Sequence, residues 1–236
     1  MMNLKSLFAF SIFWGCVTFQ GIAQQNFRIG VICGSSISRY NRPSIYDQSF
    51  GKSKVGIYTK VICRLPMKNE FWLQTEVGLT DNGGRTTYNT DSIFQKIRES
   101  RYFIQFTELA GYSFYVSHEK RLRLNFETGL FAGYYLFSYE NWKTENLLDH
   151  SIWRDRSITN KSKDDPMFRK YIAGISVGTG ISKELRVGTV LVDFRYDLSL
   201  TRITKYPDIP ELPKITRVYY QLFSLSIGYL FGENKW

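Results

Sequence analysis

The sequence predicts an all-β protein, an eight-stranded antiparallel up-and-down transmembrane β-barrel, on three observations. Between Asn26 and Phe231, eight segments alternate apolar with polar residues, and the connections joining them run long, short, long, short, long, short, long. One face of the clearest segments is apolar enough to meet lipid, and each segment reaches the roughly 9 to 11 residues that a tilted strand needs to cross a bilayer.

Residues 1–23 are expected to form a cleavable signal peptide. Lys5 supplies a positive start, an apolar stretch covers 7–17, and Gly21-Ile22-Ala23 gives a small-x-small ending. That stretch is too short for a spanning helix. Gly15-Cys16 raises a lipoprotein reading, but Phe13 and Trp14 suit a lipid-attachment box poorly. Residues 24–236 are read as the barrel domain, with no apolar run long enough for a membrane helix.

The expected strands cover 26–34, 52–64, 71–80, 101–116, 121–137, 170–182, 185–201 and 216–231. Long connections fall at 35–51, 81–100, 138–169 and 202–215, and short ones at 65–70, 117–120 and the Lys183-Glu184 turn. Asp81-Asn82-Gly83-Gly84 reads as turn chemistry opening the second long connection. In a barrel with both termini in the periplasm, short turns face inward and long connections face outside.

The faces separate a membrane barrel from a soluble sandwich or lipocalin-like barrel, both of which also alternate. The fifth strand sets Leu122, Leu124, Phe126, Leu130 and Leu136 against Arg123, Asn125, Glu127, Gly129 and Gly133. The seventh sets Val190, Val192, Phe194, Tyr196 and Leu198 against Asp193, Arg195, Asp197 and Ser199. Gly and Ser on the polar face suit a crowded lumen. Tyr134, Phe137, Tyr139, Trp142, Tyr219 and Tyr220 gather near strand ends, as an interfacial girdle would. In the fourth strand Glu108 falls on the apolar face with Ile104, Phe106, Ala110, Tyr112 and Phe114. Either a bulge at Glu108-Leu109 turns that carboxylate inward or the register differs there.

The net charge of +10 would first suggest nucleic acid. Its placement argues otherwise, because the long connection 138–166 is nearly balanced while the surplus lies on strands and their ends. Arg28, Lys52, Lys54, Lys60, Arg64, Arg121, Arg123, Lys170 and Arg186, facing a lumen with Glu76, Glu127, Asp193 and Asp197, would form buried ion pairs. The expected lumen charge network is Arg28, Glu76, Arg123, Glu127, Asp193, Arg195 and Asp197. An eight-stranded barrel has an interior that side chains just fill, so structural packing is favoured over an anion path.

Cys33 and Cys63 are expected as free thiols, since an antiparallel hairpin places them beyond the Cα separation a disulfide tolerates. Asp149-His150-Ser151 contains triad residue types, yet consecutive residues cannot adopt triad geometry; His118 lies in a short turn. No phosphate loop, Cys-pair metal motif or calcium loop is present. No catalytic, cofactor or metal residues are therefore assigned.

Leu73-Gln74-Thr75-Glu76-Val77-Gly78-Leu79-Thr80 with Gly83-Gly84, the segment from Tyr102 to Tyr112, and the segment from Thr128 to Gly133 resemble strands of the PorT-like outer-membrane β-barrel family of Bacteroidetes. Thr107 departs from that pattern, which often has Pro there. The resemblance spans 26–231; it implies an eight-stranded barrel, and its namesake is linked to protein secretion across the outer membrane.

The functional expectation is a non-enzymatic barrel in the bacterial outer membrane, in contact with its lipid, whose long loops bind protein or glycan partners. Trp142 and Trp153, in the longest connection, are the candidate loop contacts. An accessory role in secretion is the alternative and a small channel the next. Nucleic acid is not expected as a partner. Phe231 closes the last alternating strand, with Trp236 the competing terminal aromatic.

Overall fold

Period-two patterning can satisfy every backbone group in lipid only if the sheet closes on itself, and this one does. In a computed structural model, which describes residues 27–41, 53–89, 93–117, 121–146, 152–161, 169–201 and 219–232, nine strands are present among the described residues. They are β1 (Arg28–Asn41), β2 (Lys54–Pro66), β3 (Phe71–Asn89), β4 (Ile93–Ser117), β5 (Leu122–Asn146), β6 (Ile152–Lys161), β7 (Tyr171–Leu185), β8 (Gly188–Ser199) and β9 (Tyr219–Phe231). Each pairs antiparallel with its sequence neighbour around the ring, except that β5 passes its lower half to β7 and its upper part to β6. β1 pairs with β9 from Ile29↔Phe231 to Asn41↔Tyr219, which closes an eight-stranded barrel and leaves β6 as an appended strand.

Several connections differ from the sequence expectation. Residues 81–89 and 93–100 continue the β3–β4 ladder as far as Asn89↔Phe94. Asp81-Asn82-Gly83-Gly84 is thus strand, paired with Tyr102 through Glu99, and not a turn. Gly83 is needed there, since a Cβ would lie 2.0 Å from the Glu99 carbonyl oxygen. The Thr86-Thr87-Tyr88 and Ile93-Phe94 runs, β-branched or aromatic, favour continued pairing over a loop. Part of 138–169 likewise forms a hairpin, with β6 pairing from Phe137↔Lys161 to Glu145↔Ile152. The last short turn lies at 186–187, and Lys183 and Glu184 pair with Val190 and Thr189. The other short turns use left-handed backbone at Asn69, Glu70 and Arg121.

The outer surface is an apolar skin. Ile57, Leu130, Leu225 and Ile227 are among its most exposed side chains. Aromatic pairs mark two levels: Tyr102–Phe137 and Tyr134–Tyr171 toward the long-connection end, and Phe71–Tyr112, Phe114–Phe126 and Tyr229–Phe231 toward the short-turn end. Tyr220 does not join this girdle; it points into the lumen and is 2% exposed. Glu108 remains on the outer face. Its register is unbroken, Thr75↔Glu108↔Leu130, and the register shifts of β4–β5 lie at Tyr102/Phe103 and Tyr115/Ser117 instead. The Thr75 hydroxyl donates to its carboxylate at 2.9 Å. Cys33 and Cys63 are both free and both on outward positions. They lie four residues apart along the ladder, roughly 13 Å at about 3.3 Å per residue.

Candidate functional site

The lumen is the part of the molecule where polar chemistry is concentrated, and alternation puts it there. Inward positions of β2, β3, β5 and β8 bring Lys60, Glu76, Glu127 and Arg195 to one buried centre. Arg195 donates through Nη1 to Glu76 at 2.7 Å and through Nη2 to Glu127 at 2.6 Å, while Lys60 Nζ meets Glu76 at 2.9 Å. Gln74 Nε2 donates to the second Glu76 oxygen at 2.6 Å. Asp197 accepts from Ser176 Oγ at 2.6 Å and Gln105 Nε2 at 3.4 Å. The planar fork of arginine is suited to clamping two carboxylates at once. Small residues make room: a Cβ at Gly178 would stand 2.7 Å from Glu127 Oε1.

Apolar clusters lie above and below this layer. Phe103, Phe131, Tyr135, Ile172, Tyr220 and Leu222 pack toward the long-connection end. Ile32, Ile62, Leu191 and Leu230 pack toward the short turns. Nearby, Trp72 lies across Gly111, donates to Ser113 Oγ at 2.9 Å, and carries the Arg64 guanidinium 3.9 Å above its ring. Together these layers fill the interior, as the strand number requires.

The seven residues singled out from sequence do not form one network. Glu76, Glu127 and Arg195 come together, and Asp197 adjoins them through hydrogen bonds. Asp193 is inward and 2% exposed, but its carboxylate makes no ion pair among the described residues. Arg28 and Arg123 are displaced to the short-turn mouth. Arg28 Nη1 donates to Thr189 Oγ1 at 3.1 Å, and Arg123 pairs with Glu70 at 2.6 Å and Glu184 at 2.7 Å. Of the wider basic surplus, Lys60 joins the centre and Lys54 pairs with Asp81 near the other end. Arg121 and Arg186 sit at turns, not in the lumen, and Lys52 lies outside the described residues. Sequence reading passed over Gln74, Gln105, Thr107 and Ser113. All are buried at inward strand positions, and that parity was the signal available.

Trp142 and Trp153 lie on strands, Trp142 opposite Arg156 and Trp153 opposite Thr144, and their side chains lie outside the described residues. His118, Asp149, His150, Ser151, Trp236 and the expected leader 1–23 also lie outside them. Among the described residues, no cluster of three or more His, Cys, Asp or Glu could hold a metal ion. Among the described residues the polar geometry is that of a packed interior, with no nucleophile and base set against each other over an accessible space.

No protein of curated function matches the chain in sequence. Among solved structures it is similar to Neisserial surface protein A, at 13% identity over 85% of this chain and 95% of that one, with a TM-score of 0.39. It is also similar to Ail, the attachment invasion locus protein of Yersinia pestis in complex with the heparin analogue sucrose octasulfate, at 12% identity over 87% and 99%, TM-score 0.37. A third is the outer membrane protein OprG of Pseudomonas aeruginosa, at 8% identity over 88% and 97%, TM-score 0.44. The model of the outer membrane protein beta-barrel domain matches residues 22–205, well over half of the sequence. With a closed eight-stranded sheet, an apolar outer skin and a filled polar lumen, the chain belongs to the outer membrane protein beta-barrel domain family.

Proposed function

We propose that this protein is a non-enzymatic outer-membrane barrel whose long-connection end presents a binding or adhesion surface to protein or glycan partners. One observation carries the reading: β3, β4, β5 and β6 continue together past the closed barrel as a paired β-arm, down to Asn89↔Phe94 and Glu145↔Ile152 at its tip. A barrel with a packed lumen offers no obvious conduit, so the chain length invested beyond the membrane band is better explained by contact with something outside. In this orientation the short turns and both termini face the periplasm, and residues 1–23 act as a leader removed before Gln24. Trp142 and Trp153 sit within the arm and remain the candidate contacts.

Removing the β5–β6 hairpin tip while keeping the eight barrel strands should abolish attachment of expressing cells to host-cell or glycan surfaces without loss of the folded barrel. Unchanged attachment would remove the arm from the function. Protease added to whole cells should cut first within 138–169; first cleavage within 65–70 would invert the orientation. The resemblance of Leu73 to Thr80 to PorT-like strands supports a second reading, an accessory role in protein secretion. In-cell crosslinking separates the two, because a secretion component would recover periplasmic or outer-membrane machinery through its short turns.

A further inference from the structure

Beyond the outer aromatic level, the outward face of the β-arm carries basic side chains that no acid answers. The β3–β4 ladder keeps one register from Tyr112 to Phe94, so Lys96 and Arg98 share the outward parity of Ile104 and Tyr102. Arg85 stands opposite Arg98, and Lys96 opposite Lys143, so two successive rows of the sheet each hold a like-charged pair. Like charges directly opposite one another destabilise a sheet. Lys96, Arg98 and Lys143 are exposed and Arg85 is half-buried, and among the described residues none of the four forms a hydrogen bond or an ion pair. The nearby acids are already held: Asp81, whose charge lies close to Arg98, pairs with Lys54, and Glu99, on the inward side, pairs with Arg101. Glu145 falls one row further out, opposite Phe94.

The partner of such a face is anionic, and the place of the face names the kind of anion. It continues the skin that meets lipid: Tyr102 stacks on Phe137 at the outer aromatic level, and Arg98 follows Tyr102 by four residues on the same side of β4. At about 3.3 Å per residue and a strand tilt of about 35–45°, those four residues rise roughly 10 Å along the membrane normal. Headgroups stand at that level, and a long basic side chain can lay its stem on apolar surface while its charge reaches them. Each Lys or Arg beside a membrane surface strengthens its hold on anionic lipid about fivefold. We propose that Arg85, Lys96, Arg98 and Lys143 form a docking surface for the phosphate headgroups of anionic lipid in the leaflet at the long-connection end. This surface seats the barrel in its membrane and does not depend on attachment through the hairpin tip.

The test puts a reporter at the girdle: Tyr102→Trp in the full barrel, with the fluorescence of the parent protein subtracted. The protein is refolded in phosphatidylcholine vesicles containing a minor fraction of either brominated phosphatidylglycerol or brominated phosphatidylcholine. Bromine quenches the indole it touches, so the ratio of the two quenching levels reads which headgroup gathers beside Tyr102. Phosphatidylglycerol is expected to quench severalfold more strongly, with a preference that weakens as sodium chloride is raised. The combined variant Arg85→Gln, Lys96→Gln, Arg98→Gln and Lys143→Gln should bring the ratio to parity, whereas Lys68→Gln with Arg186→Gln, exposed at the short-turn end, should leave it unchanged. Equal quenching by the two lipids, or a preference that survives the combined variant, would overturn the proposal. A soluble sulfated polysaccharide, added to pure phosphatidylcholine vesicles, tests the other source of anions. If it binds through these four residues while the lipid preference is absent, the surface belongs to a glycan and lipid docking is refuted. Should the combined variant lose the heat-modifiable gel mobility of a folded barrel, Lys96→Gln with Lys143→Gln decides, and an unmoved ratio there refutes the surface.

Discussion

Glu76 and Glu108 are one register step apart on adjacent strands, since Thr75 pairs with Glu108 and Glu76 with Thr107, yet they face opposite worlds. Glu76 points inward, is fully buried, and is met by Lys60, Arg195 and Gln74. Glu108 points outward and is met on its own by the Thr75 hydroxyl among the contacts of the described residues. The pleat separates them, and the surroundings differ because a closed barrel has a polar interior that it can furnish with partners and an exterior that it cannot. The lesson is that in this fold the cost of a carboxylate is set by strand parity.

The largest expected effect tests the inner half of that contrast. Arg195→Met takes the ion-pair partner from Glu127 and leaves Glu76 with Lys60 as its cation, and breaking one partner of such a buried set should cost about 3–5 kcal/mol, measured by urea unfolding in lipid vesicles. A loss below about 1 kcal/mol would mean that the centre is not electrostatically closed. Replacing Glu76 with Leu should cost a similar amount by leaving Lys60 and Arg195 without it.

Next in size, Leu225→Lys on the outer skin should cost roughly 2–4 kcal/mol if it lies near the bilayer midplane, read in the same assay. A neutral result would reverse the assigned face of β9. Smaller and opposite in sign, Glu108→Leu should be stabilising by about 1 kcal/mol, since it removes a charge from a lipid-facing position where acidic residues are penalised less than basic ones. If Glu76→Leu and Glu108→Leu shift stability in the same direction, the contrast between the faces fails. The mildest check is chemical: Cys33, outward and exposed, should react with a membrane-soluble maleimide in vesicles and resist a charged one, whereas equal labelling would place it in water.

Much of this architecture was legible before folding. Strand five shows why: Phe126 and Leu130 against Asn125 and Glu127 identify the two faces without any partner strand. What escaped is equally specific. Asp81-Asn82-Gly83-Gly84 looks like a turn locally, but its neighbour β4 offers an uninterrupted ladder from Phe94 to Tyr112 and draws it into strand. Tyr220 resembles a girdle residue until closure on β1, opposite Tyr40, fixes its parity inward. Arg123 alternates inward like Glu127, yet it sits close enough to the strand end to pair with Glu184 near the last turn instead of with the central carboxylates.

The sequence by itself determined the two-residue period, the number of barrel strands, which face meets lipid, and the inward parity of Glu76, Glu127, Asp193, Arg195 and Asp197, because each of these depends only on neighbours along the chain. Tertiary structure alone decided which inward charges meet. Glu76 and Arg195 are 119 residues apart and join across the lumen, while Asp193, with the same parity, finds no ion-pair partner among the described residues. Those choices depend on the tilt and stagger with which the sheet closes, and closure is a property of all eight strands together.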